Sequence, residues 1–169
     1  MKLIFLDYDG VLNKIGLGNS TPIKMVGDLM TQADPELVYR LNLLVDRTGA
    51  ELVLSSAWRH QKEWREIMRA SGIVKEFLGR TTKYSSCTKY KLIEARLCRG
   101  HNIQDWLDEH KVDKYAILDD EANMLQSQQS NFFKTNTVSG LTQDIADEVE
   151  KHLGLLPEVT IPVIPNTET

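Results

Sequence analysis

The sequence holds little of what several large protein classes require. Cysteine occurs twice in 169 residues, as Cys87 and Cys98. Two thiols supply neither a disulfide framework nor a four-ligand zinc site, and they read as reduced structural groups. Apolar runs such as Leu52-Val53-Leu54 are a few residues long, whereas a membrane span needs roughly 20. The stretch before Asp7 is too short and too acidic for a secretory signal. These features predict a cytoplasmic protein with no membrane partner. Basic residues are not in excess: the formal net charge is −4, so no global field would draw in nucleic acid non-specifically. A Gly-rich loop ending in Gly-Lys-Ser/Thr is missing, which removes the P-loop kinases. Internal repeats and an interdomain linker are missing too. The four histidines, His60, His101, His110 and His152, lack ligand spacing and are expected at the surface.

What remains is one domain of ordinary size and composition. Lys2 to Leu6, Glu51 to Leu54 and Tyr115 to Leu118 are short apolar runs between polar turn residues, and predict buried strands. Asn131 to Lys134 is a fourth candidate. Asp34-Pro35 opens a helix carrying Leu37, Leu41, Leu44 and Val45, which Gly49 closes. Further helices are expected around Trp64–Met68, over 91–98 and 101–110, and from Thr142 to Gly154. Trp106 is read as core. Residues 13–33, rich in glycine, predict a flap or hairpin. Residues 1–155 are taken as the domain, and 156–169, with Pro157, Pro162 and Pro165, as an extended or disordered tail. Strands alternating with helices predict an α/β fold: a doubly wound parallel sheet covered on both faces.

In such sheets ligands bind beyond the C-terminal strand ends, at the switch point in strand order. The first strand ends at Asp7 and Asp9, the second at Ser55, the third at Asp119 and Asp120. Carboxylates brought together repel one another, and a hard divalent cation such as Mg²⁺ relieves that. Magnesium held by few carboxylates is typical where a substrate phosphate completes its shell. Asp7 has the chemistry to attack phosphorus as a nucleophile. Asp9, where Gly10 lets the chain turn, has the chemistry to protonate the leaving oxygen. Ser55 and Ser56 offer a hydroxyl and backbone N–H groups to phosphate oxygens. Trp58 and Arg59 follow at once and are expected at the rim, Trp58 stacking on a base and Arg59 binding phosphate.

Asp7-Tyr8-Asp9-Gly10-Val11-Leu12 after an apolar strand resembles the first motif of the haloacid dehalogenase (HAD) superfamily of phosphatases. Leu-Val-Leu-Ser55 resembles its second motif and Ala-Ile-Leu-Asp119-Asp120 its fourth. The strings LSSAWR, IQDWLDEH, YAILDDEANM and KTNTVSGLT resemble the HAD domain of Swiss army knife RNA-repair proteins. More distantly, the chain is similar to the 3′-phosphatase half of phage polynucleotide kinase-phosphatase. The resemblance implies a Rossmann-like domain, and residues 13–33 and 59–98 leave room only for a minimal flap rather than the full cap that many members carry. It implies Asp7 as nucleophile and Asp9 as general acid/base, with the Asp9 carbonyl on the metal. It also implies Ser55 as the phosphate-binding hydroxyl, and Asp119 and Asp120 on Mg²⁺. The third motif, a basic residue, is assigned to Arg99, just before a helix, with Lys91 as the alternative. Gly10, Ser56, Trp58, Arg59 and Lys91 are the candidate phosphate and substrate contacts.

A signalling receiver domain also forms an aspartyl-phosphate, but it carries its acidic pair on the first strand and the phosphorylated Asp on the third. The order here is the reverse. A non-catalytic phosphate-binding module would not need the full acidic set. The expected substrate is a phosphorylated nucleic-acid end, with a small nucleotide or sugar phosphate as the alternative. The sequence implies no stable protein partner.

Overall fold

The structure is a computed structural model that describes residues 1–81 and 98–157. The helix expected over 91–98 falls mainly outside these residues, as do Lys91, Cys87 and the tail beyond Pro157.

Five parallel strands form the sheet: β1 (Lys2–Leu6), β4 (Glu51–Leu54), β5 (Phe77–Arg80), β6 (Lys114–Asp119) and β7 (Phe132–Lys134), in the order β5-β4-β1-β6-β7. All neighbouring pairs run parallel. The chain moves from β1 outward through β4 to β5, then crosses back to pair β6 with the other side of β1. The switch point therefore lies between β1 and β6, where Ile4 faces Ala116 and Leu6 faces Leu118.

Successive strand residues alternate between two apolar layers, as the period of two demands. Ile4, Leu6, Leu52, Leu54 and Leu118 join the larger core with α1 (Pro35–Thr48), α2 (Trp64–Ala70) and α4 (Gln143–Leu153). Leu3, Phe5, Val53 and Ile117 join the smaller one, where α3 (Cys98–Glu109) contributes Ile103 and Trp106. Trp106 meets Phe5 edge-on at 5.5 Å between ring centroids. Burial on both faces explains why β1 reads as an unbroken apolar run rather than an alternating one.

Local chemistry sets the helix ends. Asp34 caps α1 through its side chain, which accepts the Glu36 N–H, and Pro35 stands in the first turn. Gly49, at φ 68°, closes it in the left-handed region. Thr142 caps α4 in the same way as Asp34 caps α1.

Several expectations shift in detail. β5 had no counterpart among the predicted strands: Phe77-Leu78-Gly79-Arg80 is short and lies at the sheet edge, only partly buried. Arg99 stands inside the first turn of α3, not ahead of it. His101 and His152 are half-buried rather than superficial, and the His152 Nε2 lies 3.0 Å from the Tyr115 carbonyl oxygen. Residues 13–33 contain an antiparallel hairpin, β2 (Lys24–Val26) with β3 (Leu29–Thr31), separate from the main sheet. Among the described residues no helix is long and apolar enough to cross a membrane.

Leu41 is fully buried between α1 and the sheet. Leu41→Ala should lower unfolding stability by about 2–5 kcal/mol, from lost transfer energy plus the cavity left behind. Urea denaturation followed by circular dichroism measures it.

Candidate active site

The C-terminal ends of β1, β4 and β6 lie side by side because the ladder continues one residue beyond them. The Asp7 N–H donates to the Leu118 carbonyl at 2.9 Å and the Ser55 N–H to that of Leu6 at 2.9 Å. The first residue after each apolar run is thus locked in register with its neighbours. Asp7, Ser55 and Asp119 are all buried, at 4%, 1% and 0% relative exposure. Carboxylate oxygens of Asp7, Asp119 and Asp120 lie within 4.8 Å of one another.

A single guanidinium holds the two deepest acids. The Arg99 Nη1 lies 3.1 Å from Asp7 Oδ1 and 3.0 Å from Asp119 Oδ2, and it donates to the Ser55 carbonyl at 3.0 Å. Burial opposes its charge, but Asp7 and then Asp119 outweigh that and leave its pKa raised. Burial first, and the Asp7 carboxylate next, push the Asp119 carboxyl up to about 8. Asp120 is raised by the same two causes in the same order. The Asp119 Oδ1 accepts the Glu121 N–H. Among the described residues its Oδ2 accepts no hydrogen bond, although Arg99 Nη1 lies 3.0 Å away as an ion-pair partner.

The loop after β1 supports the site from below. Gly10 has φ +69°, and a Cβ there would lie 2.3 Å from Asp120 Oδ2. No side chain fits between this loop and the acid. Thr135 donates its hydroxyl to the Gly10 carbonyl at 2.7 Å and Thr137 donates to Asp120 Oδ2 at 3.3 Å. Both threonines fall in the KTNTVSGLT string, to which the sequence attached no role. Asn13 is also new. Fully buried, it accepts the Gly10 N–H at 2.8 Å and donates to Asp9 Oδ1 at 2.8 Å. Its position four residues after Asp9 was the one available signal.

The remaining predicted residues divide. Asp9 is half-buried and its carboxyl faces Asn13 and Trp58 rather than the other acids. The Ser55 hydroxyl is buried and has no hydrogen-bond partner among the described residues. The Ser56 hydroxyl caps the short 3-10 turn Ala57–His60. Arg59 lies over the same strand end and donates to the carbonyls of Ser55 and Ser56. Burial, and then the neighbouring Arg99, lower its pKa. Trp58 lies half-buried against Tyr8, 4.8 Å between ring centroids. With Asp9, Met30, Ala57 and Gln61 it lines a cavity of about 260 Å³ beside the hairpin.

The donor set suits Mg²⁺. It is all oxygen, it is anionic, and it includes a buried carboxylate oxygen with no hydrogen bond of its own. A doubly wound, Rossmann-like sheet with such a cluster at its switch point has the plan of a phosphatase domain. A family model for the HAD domain in Swiss Army Knife RNA repair proteins matches residues 3–146, and the chain belongs to that family. No curated protein and no solved structure matches it.

Two outcomes follow. A carboxyl whose folded pKa lies above its unfolded value weakens the fold as pH rises between the two, because the folded state binds the extra proton. For Asp119 that window runs from about 4 to about 8. Mg²⁺ favours the ionised form and releases that proton. The rise in Tm on adding Mg²⁺ should therefore be larger near pH 8 than near pH 6, and Asp119→Asn should erase the difference; differential scanning fluorimetry reads both. Gly10→Ala should remove most of the Mg²⁺-induced shift by displacing Asp120, while the metal-free protein stays folded by circular dichroism.

Proposed function

We propose that the protein is a Mg²⁺-dependent phosphomonoester hydrolase that acts through an aspartyl-phosphate on Asp7. The observation carrying this reading is the cluster of Asp7, Asp119 and Asp120 at the switch point, with the half-buried Arg99 guanidinium set between Asp7 and Asp119. A hydrolase of this kind needs an anionic nucleophile, a metal seat and fixed positive charge within one small volume.

Asp119, Asp120, the Asp7 carboxylate and the Asp9 carbonyl would hold the ion. Once bound, Mg²⁺ supplies charge neutralisation for the phosphoryl oxygens. Asp7 attacks phosphorus with one carboxylate oxygen, and the bond to the leaving oxygen breaks. Asp9 gives that oxygen its proton. Asp9 then takes a proton from water as the water attacks the phosphorus, which frees phosphate and restores Asp7. Arg99, with its Nη1 3.1 Å from Asp7 Oδ1, holds that carboxylate in place. The unpartnered Ser55 hydroxyl, with the backbone around Ser56, receives the phosphate oxygens.

The substrate reading is a phosphate on a nucleic-acid end, a 3′-phosphate first. Three things support it: the family's occurrence in RNA-repair proteins, a hairpin rather than a full cap beside the site among the described residues, and the aromatic and basic pair Trp58–Arg59. The small cavity next to Asp9 and the net charge of −4 favour the second reading, a nucleotide or sugar phosphate.

Phosphate release with Mg²⁺ tests both. Wild type should turn over p-nitrophenyl phosphate, and Asp7→Asn should lose roughly a thousandfold or more in kcat. No release above that control sinks the enzyme. By kcat/KM, 3′-phosphorylated oligonucleotides should exceed mononucleotides; the reverse preference refutes the polymer-end reading.

A further inference from the structure

Trp58 and Arg59 entered the sequence reading as rim contacts for a base and a phosphate. The indole N–H is already engaged elsewhere. It donates to Asp9 Oδ2 at 2.9 Å, while the Asn13 amide donates to Asp9 Oδ1 at 2.8 Å. Each carboxyl oxygen therefore has its own donor. A carboxyl tethered at both oxygens cannot rotate about its Cβ–Cγ bond without breaking a charge-assisted hydrogen bond.

Both donors are themselves fixed. Asn13 is fully buried, and its other amide atom accepts the Gly10 N–H, so the amide cannot flip without losing two bonds. The Trp58 ring lies over Tyr8 at 37°, and its backbone N–H is accepted by the Ser56 hydroxyl. Tyr8 is fully buried beneath it, its hydroxyl against Ser71 Oγ at 2.8 Å. The cavity of about 260 Å³ opens beside this carboxyl, with Met30, Ala57 and Gln61 as its other walls.

We propose that Trp58, with Asn13, is a positioning residue for Asp9, clamping its carboxyl at the mouth of the leaving-group cavity. The proposal rests on the reading of Asp9 as the general acid/base. Proton transfer requires the acid within hydrogen-bond reach of the leaving oxygen, and an oriented group loses no entropy on reaching that geometry. The clamp does not block the chemistry. A carboxyl oxygen that accepts one hydrogen bond keeps a second lone pair for the proton it delivers.

Trp58→Phe keeps a ring against Tyr8 and removes the N–H. A positioning role requires that the loss depend on the leaving group. With a 3′-phosphorylated oligonucleotide, whose alkoxide must be protonated, kcat should fall about 10- to 100-fold with KM nearly unchanged. With p-nitrophenyl phosphate, whose phenolate leaves without a proton, the pre-steady-state release of p-nitrophenolate, which precedes the Asp9-assisted attack of water common to both substrates, should slow less than about threefold. Asn13→Ala, which removes the amide donor without adding a charge, should show the same split. Equal losses on both substrates, no loss on either, or a change confined to KM overturns the proposal. The clamp is also visible without turnover. In ¹⁵N-tryptophan-labelled protein the Trp58 indole N–H signal should move in Asp9→Ala, and an unmoved signal overturns it. An intact clamp in a wild type that hydrolyses neither substrate refutes the hydrolase reading, and with it any catalytic role for Trp58.

Discussion

Arg99 places a positive charge where the fold has gathered negative ones. Its guanidinium lies about equally far from Asp7 and Asp119, both buried, and also ties down the carbonyl of Ser55. Three strand ends are thereby joined by one side chain from α3. An isolated buried carboxylate is costly enough that it takes up a proton instead, as the raised pKa of Asp119 illustrates. A guanidinium that stays charged, with its donors in a fixed fork, is suited to hold two acids at once. The packing of α3 on the sheet through Ile103 and Trp106 sets where that group falls. The core and the charge cluster are in this sense one construction.

The parts of the fold that could be read from sequence are those where one residue's environment decides its identity. β1, β4 and β6 are buried on both faces over apolar runs, Leu-Ile-Phe-Leu, Leu-Val-Leu and Ala-Ile-Leu, that stop abruptly at Asp7, Ser55 and Asp119. Such a stop has few meanings in a parallel sheet. α1 and α4 announced themselves through a cap residue, an apolar stripe and a terminal glycine. β5 did not, because an edge strand half open to solvent needs no distinctive composition. The hairpin over 24–31 was legible only as something irregular, since its six strand residues make no contribution to the main sheet.

At the site, the acids could be found because carboxylates next to apolar runs are conspicuous. Their supports could not. The pairing of Trp58 with Asp9 spans 49 positions, and that of Thr135 with Gly10 spans 125. Nothing local to either residue signals such a partner. Trp58 by itself suggested a stacking platform, because an aromatic beside an arginine often is one. Only its neighbours reveal that the polar edge of the ring is occupied. Asn13 gave even less, being one buried amide in a loop that joins the Gly10 N–H to the Asp9 carboxylate.

The hairpin β2–β3 shares no ladder hydrogen bonds with the five-stranded sheet. It is moored by side chains and loop backbone, including the Gln32 N–H on the Tyr8 hydroxyl and the Gln32 amide on the Thr21 carbonyl. Its outward residues Met25, Val26 and Met30 are exposed. The acids, the guanidinium and the switch point all belong to the sheet and to α3. Length and composition of the hairpin can thus vary without breaking a ladder hydrogen bond of the five-stranded sheet, while Met30 keeps it beside the Asp9 cavity. Such a module would let one catalytic chassis be refitted for different leaving groups.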